Sequence, residues 1–218
     1  MIEDAVEIRT ADGSADGFIF RDEGGRRLPG VIHFTDIRGI RPAHREMARR
    51  LADKGYTVLL PNVFYRTGQP PLFDFPPAMG DERTMKRFAE LSGPLSPDAM
   101  ERDAACYVDF LAADKSVSAG PMGVVGYCFT GALAMRTVAT RPNKIGAAAS
   151  FHGGRLVTEG VGLAISATSR YAIGGIAFPP FRGSLGGLAG GRLTRPLLAK
   201  RTSRSRTPFS ARSRTDSL

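Results

Sequence analysis

The chain has 218 residues, 42% of them hydrophobic, which is ample for one domain with a real core. No stretch approaches the ~20 apolar residues of a membrane span, and the acidic start Met1-Ile2-Glu3-Asp4 lacks the apolar core of a signal peptide. The charge of +9 is local: residues 160–218 hold nine arginines and Lys200 against Asp216 alone, so residues 1–159 carry twenty basic and twenty acidic groups.

In chain order, Val6 to Thr10 and Gly17 to Arg21 read as strands joined by the turn Asp12-Gly13-Ser14. Gly30 to Thr35 is an apolar-rich strand ending at Asp36. Pro42 to Lys54 is an amphipathic helix, with Met47 and Leu51 among its apolar positions and Gly55 as its stop. Tyr56 to Leu60 is the next strand, halted by Pro61-Asn62. A polar connection with Pro70-Pro71 and Pro76-Pro77 follows. Ser96-Pro97-Asp98 opens a helix to about Ala113, with proline in the first turn. Met122 to Val125 reads as a buried strand, Ala132 to Ala139 as a helix, and Ile145 to Phe151 as a strand ending at His152-Gly153-Gly154. Strands alternating with helices predict a mostly parallel sheet covered on both faces. Sites in such sheets lie beyond the strands' carboxyl ends. Asp36, Cys128 and His152 all fall there.

Between the strand at 122–125 and the helix at 132–139 lies Gly126-Tyr127-Cys128-Phe129-Thr130-Gly131. A thiol at such a strand–turn–helix junction is where a nucleophile elbow places its reactive atom. A helix beginning just after it presents backbone N–H groups and a positive dipole end, which favours the thiolate, the reactive form. The usual elbow has glycine two residues after the nucleophile. Here Thr130 stands there, and its branched side chain is expected to push the helix away from the strand.

Several separate stretches carry a family resemblance: Thr35-Asp36-Ile37-Arg38-Gly39, Gly55-Tyr56-Thr57-Val58, Pro61-Asn62-Val63-Phe64-Tyr65-Arg66, Gly126-Tyr127-Cys128 and Phe151-His152-Gly153-Gly154. In this order they resemble the dienelactone hydrolase family, a branch of the α/β-hydrolases with a cysteine nucleophile. The resemblance covers residues 30–159. It implies hydrolysis of a small-molecule ester or lactone with no cofactor. It implies Cys128 as nucleophile and Asp36 as the thiol's partner in the resting site. The backbone N–H groups of Ile37 and Phe129 would form an oxyanion hole. Among the three histidines, His33 reads as a core or sheet-face residue and His44 as solvated. His152 reads first as structural and second as a catalytic base. Their spacing, and that of Cys106 and Cys128, matches no metal site. Arg83, with Lys86 and Arg87, is a candidate for meeting a substrate carboxylate, although a solvated surface is the stronger reading.

The family places its catalytic acid and histidine late in the chain, to orient and deprotonate the thiol. After His152 there is no histidine, and no acid lies between Glu159 and Asp216. The sequence therefore divides into an incomplete α/β-hydrolase-like domain, 1–159, and a basic Gly/Ser/Arg-rich tail, 160–218. The last strands of the fold are expected to be missing, leaving Ile145–Phe151 as an open edge, although Leu163–Ile165 and Tyr171–Phe178 suit short strands. Three readings of the tail compete: an out-of-frame translation of a GC-rich gene, which its composition suits best; a disordered extension; and a polyanion-binding segment, for which Arg201, Arg204, Arg206, Arg212 and Arg214 supply charge. The rivals to an impaired hydrolase are therefore an inactive truncated or frameshifted product and a basic-tailed binding protein. Two cysteines, one in a reduced site, suit the cytosol.

Overall fold

The computed structural model describes residues 1–154, Leu156 and the backbone of residues 170–173. Seven strands form one sheet: β1 (Ile2–Thr10), β2 (Gly13–Arg21), β3 (Gly30–His33), β4 (Thr57–Pro61), β5 (Met122–Tyr127), β6 (Ile145–Phe151) and β7 (Arg170–Ile173), in the spatial order β1-β2-β4-β3-β5-β6-β7. β1 and β2 make an antiparallel hairpin that joins β4 antiparallel. From β4 to β7 every pairing is parallel. The α/β-hydrolase-like sheet expected from the sequence is thus present. β6 is not its open edge, because β7 pairs along it from Ala147 to Ser150.

Four helices cover the sheet: α1 (Pro42–Asp53), α2 (Glu82–Ser92), α3 (Pro97–Ala113) and α4 (Gly131–Thr140). α1 and α3 start with proline at the first turn, where its missing N–H is not needed. Ser96 caps α3 by accepting from Ala99 N–H at 3.2 Å. α2 falls in the stretch that reads from sequence as a polar connection. Asp81 starts it by accepting from Thr84 N–H at 2.8 Å, and Leu91 is its buried apolar anchor.

Period-two alternation sorts the strand side chains between two cores. Val31, Val58, Leu60 and Val125 face α1, together with its Ala48 and Leu51. Ile32, Leu59, Val124 and Ala148 face the other side, with Leu91 of α2, Tyr107 and Leu111 of α3, and Leu133 and Val138 of α4. His33 shares the parity of Val31, so its ring points toward α1. No helix among the described residues is long and apolar enough to cross a membrane.

The chain clusters into one unit from Met1 to Ala177 and another from Phe178 to Leu218. The second unit, and with it nearly all of the basic tail, lies outside the described residues.

Asn62-Val63-Phe64-Tyr65-Arg66 serves the fold. Asn62 caps the turn after β4 through Phe64 N–H, and it donates to Asp16 and to the Gly68 carbonyl. Arg66 forks onto Asp103 of α3 at 2.6 and 2.9 Å, with Asp103 almost fully buried. Tyr65 donates to the same carboxylate at 3.0 Å. Asp103→Ala leaves the partly buried guanidinium only the Asp12 carboxylate and strips the Tyr65 hydroxyl of this acceptor, and is expected to cost about 3 kcal/mol. A fall in the urea midpoint at unchanged slope measures it.

Candidate active site

β5 runs out at Tyr127, and Cys128 takes φ 53°, a left-handed conformation rare for any residue with a side chain. A 3-10 turn over Cys128–Thr130 leads directly into α4. The thiol is exposed. Two glycines make this junction possible. A methyl at Gly126 would overlap the carbonyl of Thr130, and one at Gly131 would overlap Ser150 Oγ and Gly153 Cα. The backbone therefore passes where no other residue type fits. This is the geometry expected of an elbow, with Cys128 at its apex.

Thr130 does not push α4 away. Its hydroxyl is buried and works as a clasp. It accepts from Tyr127 N–H at 3.0 Å and donates to the Thr35 carbonyl at 2.7 Å. The branched side chain fits because its hydroxyl satisfies two backbone groups that a glycine leaves to other partners.

The loop after β3 holds the other predicted residues. Asp36 is half-buried and its carboxylate takes the Arg41 guanidinium at 2.6 Å on each oxygen, plus Arg38 N–H at 3.0 Å. Burial works against its ionisation, yet the His44 ring 3.5 Å away, the Arg41 fork and the Arg38 N–H together hold the carboxyl well below the usual range. None of its hydrogen bonds goes to the Cys128 thiol. The Asp36 carbonyl accepts from Gly39 N–H at 3.0 Å. Ile37 N–H has no acceptor among the described residues.

His152 follows β6 as Cys128 follows β5. Tyr127 and Phe151 are register partners with rings stacked 5.1 Å apart, and the next residue on each strand is left-handed, His152 with φ 54°. The Gly154 N–H reaches the Cys128 carbonyl at 3.4 Å. His152 is exposed, so both side chains leave neighbouring strand ends at the sheet's carboxyl edge.

His44 is not solvated. Its relative exposure is 2%, because α1 turns it and Ala48 toward the sheet, a quarter-turn from the face that Met47 suggests. Its Nδ1 lies 2.9 Å from His33 Nε2, and Tyr127 packs on both rings. Sequence reasoning passed over this pair and Arg41. Their signal was the parity of His33 on β3, which is useful only once α1 is known to cover that face.

Arg83 lies near the start of α2. It pairs with Asp74 at 3.0 Å, lies over the Phe75 ring at 3.9 Å, and lines a cleft of about 460 Å³ with Leu72, Lys86 and Arg87. No elbow residue lines that cleft. Among the described residues no group of three or more His, Cys, Asp or Glu is placed to hold a metal ion.

Burial, and then the His44 ring, push the His33 imidazole down to about 3 from an ordinary 6.5. Between these values the unfolded chain binds a proton that the folded chain refuses, so folding weakens as pH falls. Between about pH 6.5 and 5, above the carboxylate range, the slope should approach ~1.4 kcal/mol per unit. Urea midpoints across this interval measure it, and His33→Asn should flatten the response. Thr130→Val keeps the shape of the clasp and deletes its hydroxyl. It should cost about 2 kcal/mol through the stranded Tyr127 and Thr35 groups, again read from the urea midpoint.

Residues 15–174 match the model of the dienelactone hydrolase family, a span that passes the charge shift at Glu159. A carboxymethylenebutenolidase of Rhodococcus opacus is 32% identical over 115 residues, 53% of this chain and 40% of that protein. One from Pseudomonas putida is 27% identical over 139 residues, 64% of this chain and 57% of that protein. A solved structure named m3DLH superposes with a TM-score of 0.62 at 27% identity, over 79% of this chain and 66% of the other. The chain thus spans about half the length of the curated relatives it matches.

Proposed function

The chain belongs to the dienelactone hydrolase family, and from that premise we propose that it attacks small-molecule esters or lactones through Cys128. The observation that carries this reading is the exposed thiol at φ 53° on the apex of a glycine-walled turn. The fold holds a strained conformation there that a buried structural cysteine has no use for.

The Cys128 thiolate adds to the carbonyl carbon, forming a C–S bond and a tetrahedral oxyanion. Ile37 N–H and Phe129 N–H receive that charge. Collapse breaks the C–O bond, the alkoxide leaves by taking back, from the base that accepted it, the proton the thiol gave up, and an acyl-thioester remains for water to open. Asp36, held by Arg41, is the acidic partner of the resting site and joins the thiol only by changing partners. His152 is the remaining candidate base, as the exposed one of the three histidines, with His33 and His44 buried. Where the family places its acid and histidine, this sequence has no acid between Glu159 and Asp216 and no histidine after His152, so water activation is the weak step and acyl-enzyme accumulates. Arg83 lies in a separate cleft and contributes at most to holding an anionic substrate arm. The basic tail contributes only non-specific affinity for polyanions.

Mixing the protein with excess p-nitrophenyl acetate should release about one equivalent of nitrophenol per chain, followed by slow turnover. Intact-protein and peptide mass spectra should place the acetyl group on Cys128. Cys128→Ala should abolish the burst, and His152→Ala should slow it by ~10-fold or more. Iodoacetamide should modify Cys128 in preference to Cys106. A burst that survives Cys128→Ala, or equal labelling of the two cysteines, would sink the assignment.

A further inference from the structure

His44 has no role in the chemistry above, yet it is placed against the most constrained peptide of the site. That peptide joins Thr35 to Asp36. Its carbonyl end accepts the Thr130 hydroxyl at 2.7 Å. Its N–H end points at His44 Nε2 at 3.3 Å. One planar unit is therefore gripped from both sides, by the elbow and by α1. The next peptide, Asp36 to Ile37, is held by its carbonyl alone, which accepts from Gly39 N–H at 3.0 Å. Its N–H, that of Ile37, has no acceptor among the described residues.

The geometry points to His44 as a positioning residue that orients the free N–H of Ile37 for the developing oxyanion, using a bare Nε2 to hold the Asp36 N–H. This deepens the reading of Ile37 as an oxyanion donor and rests on it. His44 Nε2 also lies 3.5 Å from Asp36 Oδ2. A single ring nitrogen cannot accept from the amide and donate to the carboxylate together. A proton on Nε2 would face the amide proton across 3.3 Å, whereas the carboxylate already has three donors from Arg41 and Arg38. The proton of His44 therefore sits on Nδ1 and is donated to His33 Nε2, 2.9 Å away. His33 then carries its own proton on Nδ1, a buried nitrogen without a hydrogen-bond partner. An apolar pair would fill this space without that penalty, which is the mark of a group kept for what it holds.

Removing such a hold lets the peptide tilt, and displacements of this kind at a reacting centre cost up to about a hundredfold. Glutamine places an amide oxygen near the position of Nε2, whereas asparagine reaches only as far as Nδ1. With the full-length chain and p-nitrophenyl acetate, His44→Asn should lower the maximal acylation rate of Cys128 by about 10- to 100-fold. The half-saturating ester concentration should stay nearly constant, because the lost contact matters in the transition state. His44→Gln should restore most of the rate. A purely structural histidine would show no difference between the two variants at equal stability, and that result would overturn the proposal. Nitrogen-15 spectra of the parent chain give an independent answer. An unprotonated Nε2 and a protonated Nδ1 on His44 are expected, and a proton on Nε2 overturns the assignment. If the parent chain never acylates, the hydrolase reading fails by itself, and the nitrogen spectra still decide what His44 holds.

Discussion

A hydroxyl 2.7 Å from a carbonyl ties the candidate site together. Thr130 sits on the turn after β5 and reaches the loop after β3, two segments 95 residues apart in sequence. Their strands are hydrogen-bonded neighbours, but strand pairing ends at His33 with Val125, short of the residues that matter. Beyond that point only side chains and loop carbonyls keep the elbow beside the Asp36 loop. Because the clasp is buried, its hydrogen bonds act in a medium of low polarity, where they hold their direction better than they would in water. The left-handed backbone at Cys128, the glycine-walled turn and the loop's free N–H all rely on this fixed separation.

A second set of constraints holds the antiparallel hairpin to the parallel sheet. Arg45 and Arg49 of α1 reach Glu3 on β1, and Arg21 of β2 bridges Asp4 and Asp114. Arg66 and Arg102 meet at Asp12 in the hairpin turn. Each exposed pair alone contributes about 0–1 kcal/mol. Together they pin the hairpin at both ends and along its length, as shared partners in a network rather than as separate bridges. The neutral residues 1–159 thus spend most of their arginines on internal carboxylates, whereas residues 160–218 have one carboxylate for ten cations.

Much of this was legible in the sequence, because the parallel strands are short apolar runs and their helices carry capping signals. β6 matches its expected bounds, and the tight turn between β5 and α4 was recognisable from one cysteine between glycines. What escaped was whatever depends on two elements meeting. α2 is a polar helix whose buried face is little more than Thr84 and Leu91, too little for periodicity to reveal. His44 looks like any charged-helix residue until α1 is laid on the face that His33 shares. Thr130 looks like a misfit until the Thr35 carbonyl is seen above it. β7 lies past the change in composition; the short strand expected from Tyr171 onward overlaps it, but its place beside β6 shows only in the pairing. The site was read one strand end at a time, and its couplings run between strand ends.

The two left-handed residues at the sheet's carboxyl edge bear on how such a chain ages under mutation. A side chain at φ 53° or 54° costs the fold of order 1 kcal/mol that glycine would not. Under the proposed reaction, Cys128 and His152 are therefore positions where stability and chemistry want different residues. Relative to alanine, glycine is the more comfortable occupant of both. While the reaction is selected, purifying pressure keeps the thiol and the imidazole in place. Once that pressure lifts, drift at these two codons runs downhill, and the fold can settle as the site disappears. Under the proposed reaction, a cysteine and a histidine held in this conformation mark what the chemistry asks of the chain and the fold does not.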